Sequence, residues 1–399
     1  MNKSKSCKQF VALLLTGFAF LAFAPVHAGD IDDDWQITFH PCPGPSRTDA
    51  LQKDPDGRLW VGCGTNANGF GLFTSPDGAD TWQAVSTSPA NVVDEFRVYT
   101  LTRGHDGALY ASGVDTTEGT SLRSVRLDTT GSMPYPATPN LIAVAQVGRQ
   151  FNVGGYAELQ DGQALASSET GFDRLYRPDS STGPSAADWT IADTTNEAYR
   201  DVVAFDGGFY ASGSRINIPP RVFVPNGGHS PDIWDLKEVI LDDAYDGEMW
   251  GIAVNAQRLV AVGVDQDSDT GKIYVSNGND PGNAANYDVF NMPDIVGTSG
   301  IGTWARGVCM RDDVIVVVGE RQPLGSNTGR MMISTDGGQS FNNITPSTTS
   351  ESITRCAIAE SGLVTVVGAG GFVGRYSGAL VPDQIFMDDF EVNSYIPLR

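Results

Sequence analysis

The chain has 399 residues, with 48 acidic against 26 basic side chains and a formal net charge of −22. Nucleic acid and anionic lipid surfaces would repel such a polyanion, so we exclude both as partners. Only 19% of the residues are charged and 40% are hydrophobic, which also excludes a disordered acidic chain and a coiled coil.

The first 28 residues have the pattern of a secretory signal peptide. Lys3, Lys5 and Lys8 precede an apolar stretch over residues 10–24, and Val26-His27-Ala28 offers a small-residue cleavage site. An uncleaved membrane anchor is the alternative, but the apolar stretch is short for a span of about 20 residues. We therefore expect residues 1–28 to be removed and the protein to be secreted or periplasmic, with no membrane span in the mature chain.

Four cysteines follow the signal segment, and an even number in an oxidising compartment favours two disulfides. Three pairings are open. We expect Cys42 with Cys63, which are close in sequence, and Cys309 with Cys356, which fall on corresponding strands of neighbouring repeats. A zinc site is the rival interpretation, but the sequence contains no Cys-x-x-Cys spacing.

A short apolar strand that ends in a small residue recurs about every 50 residues, each time after a turn and another apolar strand. This period, with several short strands in each unit, is typical of a β-propeller. We predict an all-β fold over residues 30–378, a seven-bladed β-propeller of four-stranded antiparallel blades. The recurring strands are Leu59–Cys63, Leu109–Gly113, Ala164–Ser168, Phe209–Gly213, Leu259–Gly263, Ile315–Gly319 and Val364–Gly368.

The two ends of the repeat region predict how the ring is closed. Residues 353–377 supply only three strands of a last blade, and Trp35–Phe39 resembles an outer strand. We expect that N-terminal strand to complete the blade and close the ring. Residues 379–399 lie outside the repeat and are expected to form an acidic C-terminal tail of open role.

Two segments match a turn pattern, Ser-x-Asp-Gly-Gly-x-Thr-Trp, in which an Asp carboxylate binds turn amides and an aromatic ring packs beneath. On these segments the chain resembles the Asp-box (BNR-repeat) propellers, a group that includes sialidases, sortilin-like domains and photosystem assembly factors. The resemblance implies a structural role for the matching residues. They are Ser75, Asp77, Gly78 and Trp82 in the first segment, and Ser334, Asp336, Gly337 and Phe341 in the second.

No catalytic signature accompanies the repeat. The sequence has no Gly-x-Ser-x-Gly elbow, His-Glu-x-x-His motif or Walker loop. The sialidase resemblance implies an early Arg-Ile-Pro segment, but neither Arg47 nor Arg58 lies in one. No catalytic residue is therefore assigned. A glycoside hydrolase of sialidase-like architecture stays the alternative function, and clustered carboxylates would distinguish it.

Aromatic residues lie beside arginines where the innermost strands begin. Such a set could stack on a sugar and pair with carboxylates at the mouth of the central channel. Alternatively, the rings pack between blades while the arginines neutralise nearby acids. We expect a non-enzymatic binding or scaffold protein for a glycan, peptide or protein, with Arg306 and Arg355 close together at one opening. The candidate ligand-binding residues are Arg306, Arg355, Trp304, Trp250, Tyr199 and Arg97.

One loop is a candidate calcium site. Asp265, Asp267 and Asp269 alternate along it, and three carboxylates in a turn could supply several of the oxygens that Ca²⁺ requires. A solvated acidic hairpin is the alternative. Calcium is thus the one cofactor that the sequence suggests.

Overall fold

The structure is a computed structural model that describes residues 31–42, 46–65, 68–90, 92–104, 106–115, 121–138, 153–159, 163–168, 175–178, 189–191, 199–213, 218–226, 235–278, 280–292, 302–322, 324 and 328–378. The predicted signal peptide and C-terminal tail lie outside these residues. No helix within the described ranges is long and apolar enough to cross a membrane.

The described chain is built of short β-strands, with 3-10 turns at Ile31–Asp34, Ala284–Asn286 and Ala369–Gly371. The strands in chain order are β1 (Trp35–Phe39), β2 (Arg47–Lys53), β3 (Leu59–Gly64), β4 (Gly69–Ser75), β5 (Gln83–Ala84), β6 (Thr87–Ser88), β7 (Phe96–Arg103), β8 (Leu109–Asp115), β9 (Ser121–Leu127), β10 (Tyr135–Pro136), β11 (Val153–Glu158), β12 (Ala164–Ser168), β13 (Leu175–Pro178), β14 (Trp189–Ile191), β15 (Tyr199–Phe205), β16 (Gly208–Gly213), β17 (Arg221–Pro225), β18 (Leu236–Ile240), β19 (Gly247–Val254), β20 (Leu259–Asp265), β21 (Thr270–Ser276), β22 (Tyr287–Asn291), β23 (Thr303–Arg311), β24 (Val314–Arg321), β25 (Gly329–Ser334), β26 (Asn342–Asn343), β27 (Ile353–Ile358), β28 (Val364–Gly368) and β29 (Phe372–Tyr376).

The strands form a β-propeller with six four-stranded antiparallel blades, so the predicted seven four-stranded blades are wrong. The sheet of β7, β8 and β9 has three strands. The next strand, β10, pairs in parallel with β6 instead, and only Ala137 bridges back to Leu127. Pro134 and Pro136 flank Tyr135 and have no N–H to donate, so this segment could form only a weakened ladder with β9.

The central strands of the molecule are β2, β7, β11, β15, β19, β23 and β27, one from each of its seven larger sheets. These strands contact one another in chain order from β2 to β27, and β27 contacts β2 in turn. At the N-terminus, β1 pairs with β29, from Trp35 opposite Tyr376 to Phe39 opposite Phe372. The sheet of β27, β28 and β29 thus takes its outer strand from the start of the described chain.

The recurring apolar strands are the second strands of their sheets. In β3, β20 and β28 every residue is buried. A strand alternates apolar and polar residues only where one face meets water, and here both faces are covered by neighbouring sheets. The cluster around Val316, Val318, Ile353 and Val366 shows how adjacent sheets share one apolar layer.

Both predicted disulfides are confirmed. Cys42 bonds to Cys63 with a Cα–Cα distance of 6.3 Å, and Cys309 to Cys356 with 5.7 Å. The second bond joins β23 to β27, two neighbouring central strands. Two disulfides are compatible with an extracellular or periplasmic protein.

The two segments with the Asp-turn pattern have the same hydrogen bonds. The Ser75 hydroxyl donates to Asp77, and Asp77 accepts from the backbone and the hydroxyl of Thr81. Ser334, Asp336 and Ser340 repeat this arrangement. Gly78 and Gly337 have φ of +70° and +72°, a conformation that favours glycine. The hydrogen bonds from Thr81 lower the pKa of Asp77 to about 2.

Candidate functional site

Every central strand carries a β-bulge at the same place. In each pairing of a first with a second strand, one residue of the first strand has no opposite partner. A bulge turns the extra side chain out of the regular alternation and often lies beside a functional site. The bulged residues are Asp49, Tyr99, Gly154, Arg200, Trp250, Arg306 and Thr354.

The small residues that end the recurring strands face these bulges. Gly263 lies opposite Met249, and Gly319 lies opposite Ala305, each one residue before a bulge. A Cβ on Gly319 would lie 1.9 Å from the Trp304 carbonyl oxygen, closer than atoms can approach. Where the repeated small residue is glycine, it therefore reflects the room that the neighbouring bulge requires.

The bulged residues surround one cavity of about 290 Å³. Six of the seven line it, together with residues just before or after the bulges and part of the loop after β20. The lining contains five arginines, three carboxylates and three aromatic rings. It comprises Arg47, Asp49, Arg97, Tyr99, Arg200, Glu248, Trp250, Val264, Gln266, Asp269, Trp304, Arg306, Thr354 and Arg355.

Arg306 forms the aromatic wall of the cavity with two tryptophans. Its guanidinium carbon lies 3.9 Å from the ring centre of Trp250 and 4.8 Å from that of Trp304. Behind the rings, Nε and Nη2 of Arg306 donate to Glu320 at 2.9 and 2.5 Å. Burial lowers the pKa of the Arg306 guanidinium, and the charge of Glu320 opposes that shift. Glu320 therefore fixes the orientation of this wall.

Asp49 is shared by two arginines on a second wall. Nη2 of Arg97 donates to Asp49 at 2.8 Å, and Nε of Arg47 lies 3.6 Å from the same carboxylate. The Arg97 guanidinium also stacks 4.5 Å from the ring centre of Tyr99. Because Arg97 and Asp49 are both buried, this wall is fixed before a ligand arrives.

Glu248 is held in the same manner. It accepts from Nε1 of Trp250 at 2.7 Å, from Gln266 at 2.9 Å and from Arg200 at 3.4 Å. Asp49 and Glu248 thus act as counter-ions for arginines, and Glu248 is also the hydrogen-bond acceptor of the Trp250 indole. Of the three carboxylates in the described lining, these two are bonded to donors of the cavity walls, whereas Asp269 is exposed.

Arg355 differs from the other cavity arginines. Its Nη1 donates to the backbone oxygen of Thr354 at 2.9 Å, and it forms no ion pair within the described part of the chain. Asp201 lies on β15, at the equivalent position of a strand that is not adjacent to β27. Burial raises the pKa of Asp201 to about 6, and the charge of Arg355 acts in the opposite direction.

Five of the six ligand-binding candidates from the sequence line the cavity, namely Arg306, Arg355, Trp304, Trp250 and Arg97. Tyr199 does not, because it precedes the bulge and packs in the core with its ring centre 4.6 Å from that of Phe223. The next residue, Arg200, is the one that lines the cavity.

The ligand-binding candidates chosen from the sequence did not include Arg47, Tyr99 or Arg200, which line the cavity. The available signal was the small residue at the end of each second strand. That residue marks the opposing bulge, and the bulged residue lies in the cavity wall.

The candidate calcium loop is internally bonded. The Asp265 carboxylate accepts from the backbone of Asp267 and Ser268 and lies 3.7 Å from Nζ of Lys272. Asp267 and Asp269 are exposed. These contacts describe a closed turn, and calcium binding there stays a prediction.

Elsewhere in the described ranges, one group of three metal-ligating side chains comes close together: His40, Cys42 and Cys63. The two cysteines are joined in a disulfide, so their sulfurs are not thiolate ligands. Burial lowers the pKa of His40 to about 4, which keeps its ring neutral. The group is part of the packed core.

We expect Gly319→Ala to lower the free energy of unfolding by about 1 to 3 kcal/mol, because the added methyl group must displace the Trp304 carbonyl. Urea denaturation measures the change. Gly278→Ala is the matched control, since no atom lies within 4 Å of its added Cβ. Equal losses in the two variants would contradict the steric explanation of the repeat.

No protein-family model matches this chain, and no curated protein sequence matches it. Solved β-propellers share its fold. The structure of YCF48 bound to D1 peptide is 15% identical, with a TM-score of 0.55, and covers 86% of this chain and 96% of its own. Catalytically inactive virginiamycin B lyase from Staphylococcus aureus, with quinupristin, is 9% identical, with a TM-score of 0.54 and coverage of 86% and 98%.

The WD40 propeller domain of Doa1 is 14% identical, with a TM-score of 0.53, and covers 84% of this chain and 94% of its own. These similar structures include a lyase and a protein in complex with a peptide, so the similarity does not distinguish a catalytic from a binding function for this chain. At such low identity the likeness shows the fold alone, and that fold is a β-propeller.

Proposed function

We propose that this protein is an exported, non-enzymatic binding propeller whose cavity takes a negatively charged group of a peptide or protein partner. The observation that carries the proposal is the ring of five arginines around one cavity in a chain of net charge −22. Arginine binds carboxylates through two parallel hydrogen bonds, and the aromatic rings add contact area.

Other features support parts of this proposal. Two disulfides fit an oxidising compartment, and we propose residues 1–28 as the export signal, 30–378 as the propeller and 379–399 as a tail. The two matching Asp turns favour membership of the Asp-box group. YCF48, a similar fold, has been solved with a bound peptide.

Calorimetric titration with short probes tests the proposal. We expect hexaglutamate to bind at least about tenfold more tightly than hexaglutamine, and hexalysine not to bind, because the cavity is rich in arginine. Binding should weaken as salt increases, since exposed charges are screened. Equal affinity for hexaglutamate and hexaglutamine, or no binding of either, would rule out an anion-selective cavity.

A further inference from the structure

We infer that Arg355 is the specificity-determining residue of the cavity and that it binds the carboxylate of an acidic side chain in a polypeptide partner. This inference rests on the proposed function and adds the chemical class of the ligand and the residue that selects it. The evidence comes from comparing the polar groups of the cavity that are already hydrogen-bonded with those that are available to a ligand.

The hydrogen-bond acceptors of the cavity are largely committed. Asp49 accepts from Arg97, and Glu248 accepts from Trp250 and Gln266. Asp269 is the remaining carboxylate of the lining and lies exposed on the loop after β20.

Two neutral polar groups of the described lining are bonded as well, whereas Nε1 of Trp304 is a buried donor without a partner in the described part of the chain. The Gln266 amide donates to Glu248, and the Thr354 hydroxyl donates to the buried backbone oxygen of Thr48. Among the described lining residues, a ligand therefore meets mainly guanidinium and indole donors and aromatic faces, with the exposed Asp269 carboxylate as an acceptor.

This composition selects for a ligand group that only accepts hydrogen bonds. A sugar hydroxyl both donates and accepts, so a neutral glycan would find fewer acceptors than donors among the described lining residues. An ionised carboxylate has two oxygens and no donor, and it matches the guanidinium fork. The cavity thus favours an acidic side chain over a neutral sugar.

Arg355 is the arginine best placed to make that contact. Arg306 is bonded to Glu320, and Arg97 is bonded to Asp49. Arg355 is half-buried in the lining and is bonded only to a backbone oxygen of its own strand. A cation held in this way gains a full ion pair when a carboxylate arrives.

The position of Arg355 is also distinctive within the repeat. It follows the bulged residue of β27, and the equivalent residues of β2, β19 and β23 are small: Ala50, Gly251 and Gly307. Asp201 on β15 is the other charged residue at this level. Asp201 is one anion whose charge acts on Arg355, and a ligand carboxylate would be a second anion, in direct contact with the Arg355 guanidinium.

The experiment compares two arginine variants by calorimetric titration with hexaglutamate. Arg355→Gln is expected to weaken binding at least about tenfold, the loss of one charged hydrogen-bonded contact. Arg311→Gln is the matched control, because Arg311 lies at the other end of a central strand and is 41% exposed. It removes the same charge and should change the affinity less than about twofold.

Arg355→Lys keeps the charge but loses the planar fork, so it should bind with intermediate affinity. Unchanged affinity in Arg355→Gln, with a wild-type protein that binds, would overturn this inference and leave the proposed function intact. A wild-type protein that does not bind hexaglutamate would overturn the proposed function itself. Tighter, Arg355-dependent binding of hexagalacturonate would replace the polypeptide partner with an acidic glycan and overturn the assignment made here.

Discussion

Replacing Glu320 by Gln is expected to lower the free energy of unfolding by about 3 kcal/mol. Glu320 is 1% exposed and is the ion-pair partner of Arg306, whose side chain is 18% exposed. Removing one member of a largely buried pair leaves the other charge without compensation. Gln keeps the size of the side chain and an oxygen acceptor, so the loss reports mainly on charge. Urea denaturation at neutral pH measures it.

Two further variants distinguish the loss of the buried ion pair from a nonspecific loss of stability. Glu360→Gln removes a carboxylate that is 79% exposed and 3.8 Å from Arg311, and should change stability by less than about 1 kcal/mol. The double variant Glu320→Gln/Arg306→Met removes both buried charges and should recover part of the loss. A double variant as unstable as the sum of its single variants would show that the two residues do not act as a pair.

The Glu320→Gln substitution should also alter the ligand site, because it removes the charged partner that orients Arg306. Arg306 is held against Trp250 and Trp304 by its bonds to Glu320. Without that anchor the guanidinium gains freedom to leave the rings. Glu320 is thus a positioning residue, which acts on the cavity through Arg306.

Much of the fold could be predicted because the position of the second strands in the fold directly determines their repeated apolar sequence. The second strands are apolar on both faces since sheets cover them on both sides, and this yields short continuous apolar runs that are easy to find. The same register placed Cys309 and Cys356 on corresponding strands, where they are bonded.

The strand count of one sheet could not be predicted from this pattern. After β9 the chain retains an aromatic residue, Tyr135, at a point where a fourth strand was expected. Its backbone pairs with β6, and its hydroxyl accepts a hydrogen bond from Arg58. Tertiary contacts of this kind determine which strand such a short, proline-containing segment pairs with. The local sequence does not reveal them.

The cavity residues could be located to within about one position. A shift of one residue along a strand exchanges the two faces, so an unrecognised bulge changes which side chain enters the cavity. This explains why Tyr199 was a candidate while Arg200 is in the lining. The glycine opposite a bulge is the feature that resolves the ambiguity.

Asp201 predicts a dependence of stability on pH. Burial raises its pKa from the ordinary 3.8 to about 6, although Arg355 and the backbone N–H groups of Val202 and Ile252 favour the charged form. Between about pH 4 and pH 6 the folded protein therefore holds a proton that the unfolded chain has released. Stability from this group is present at low pH and is lost as the pH rises through this window.

Asp201→Asn should accordingly stabilise the protein at neutral pH by up to about 3 kcal/mol, the free energy of a shift of roughly two pKa units. At pH 4 the variant and the wild type should be equally stable, because Asp201 is then neutral when folded. Urea denaturation between pH 4 and pH 7.5 measures the difference between the two proteins.

Asp206→Asn provides the control, since Asp206 lies exposed in the turn of the same hairpin and its replacement changes the net charge equally. A stability difference that grows with pH in Asp201→Asn but not in Asp206→Asn would identify Asp201 as the titrating carboxyl. A pH-independent difference for Asp201→Asn would contradict the raised pKa of Asp201.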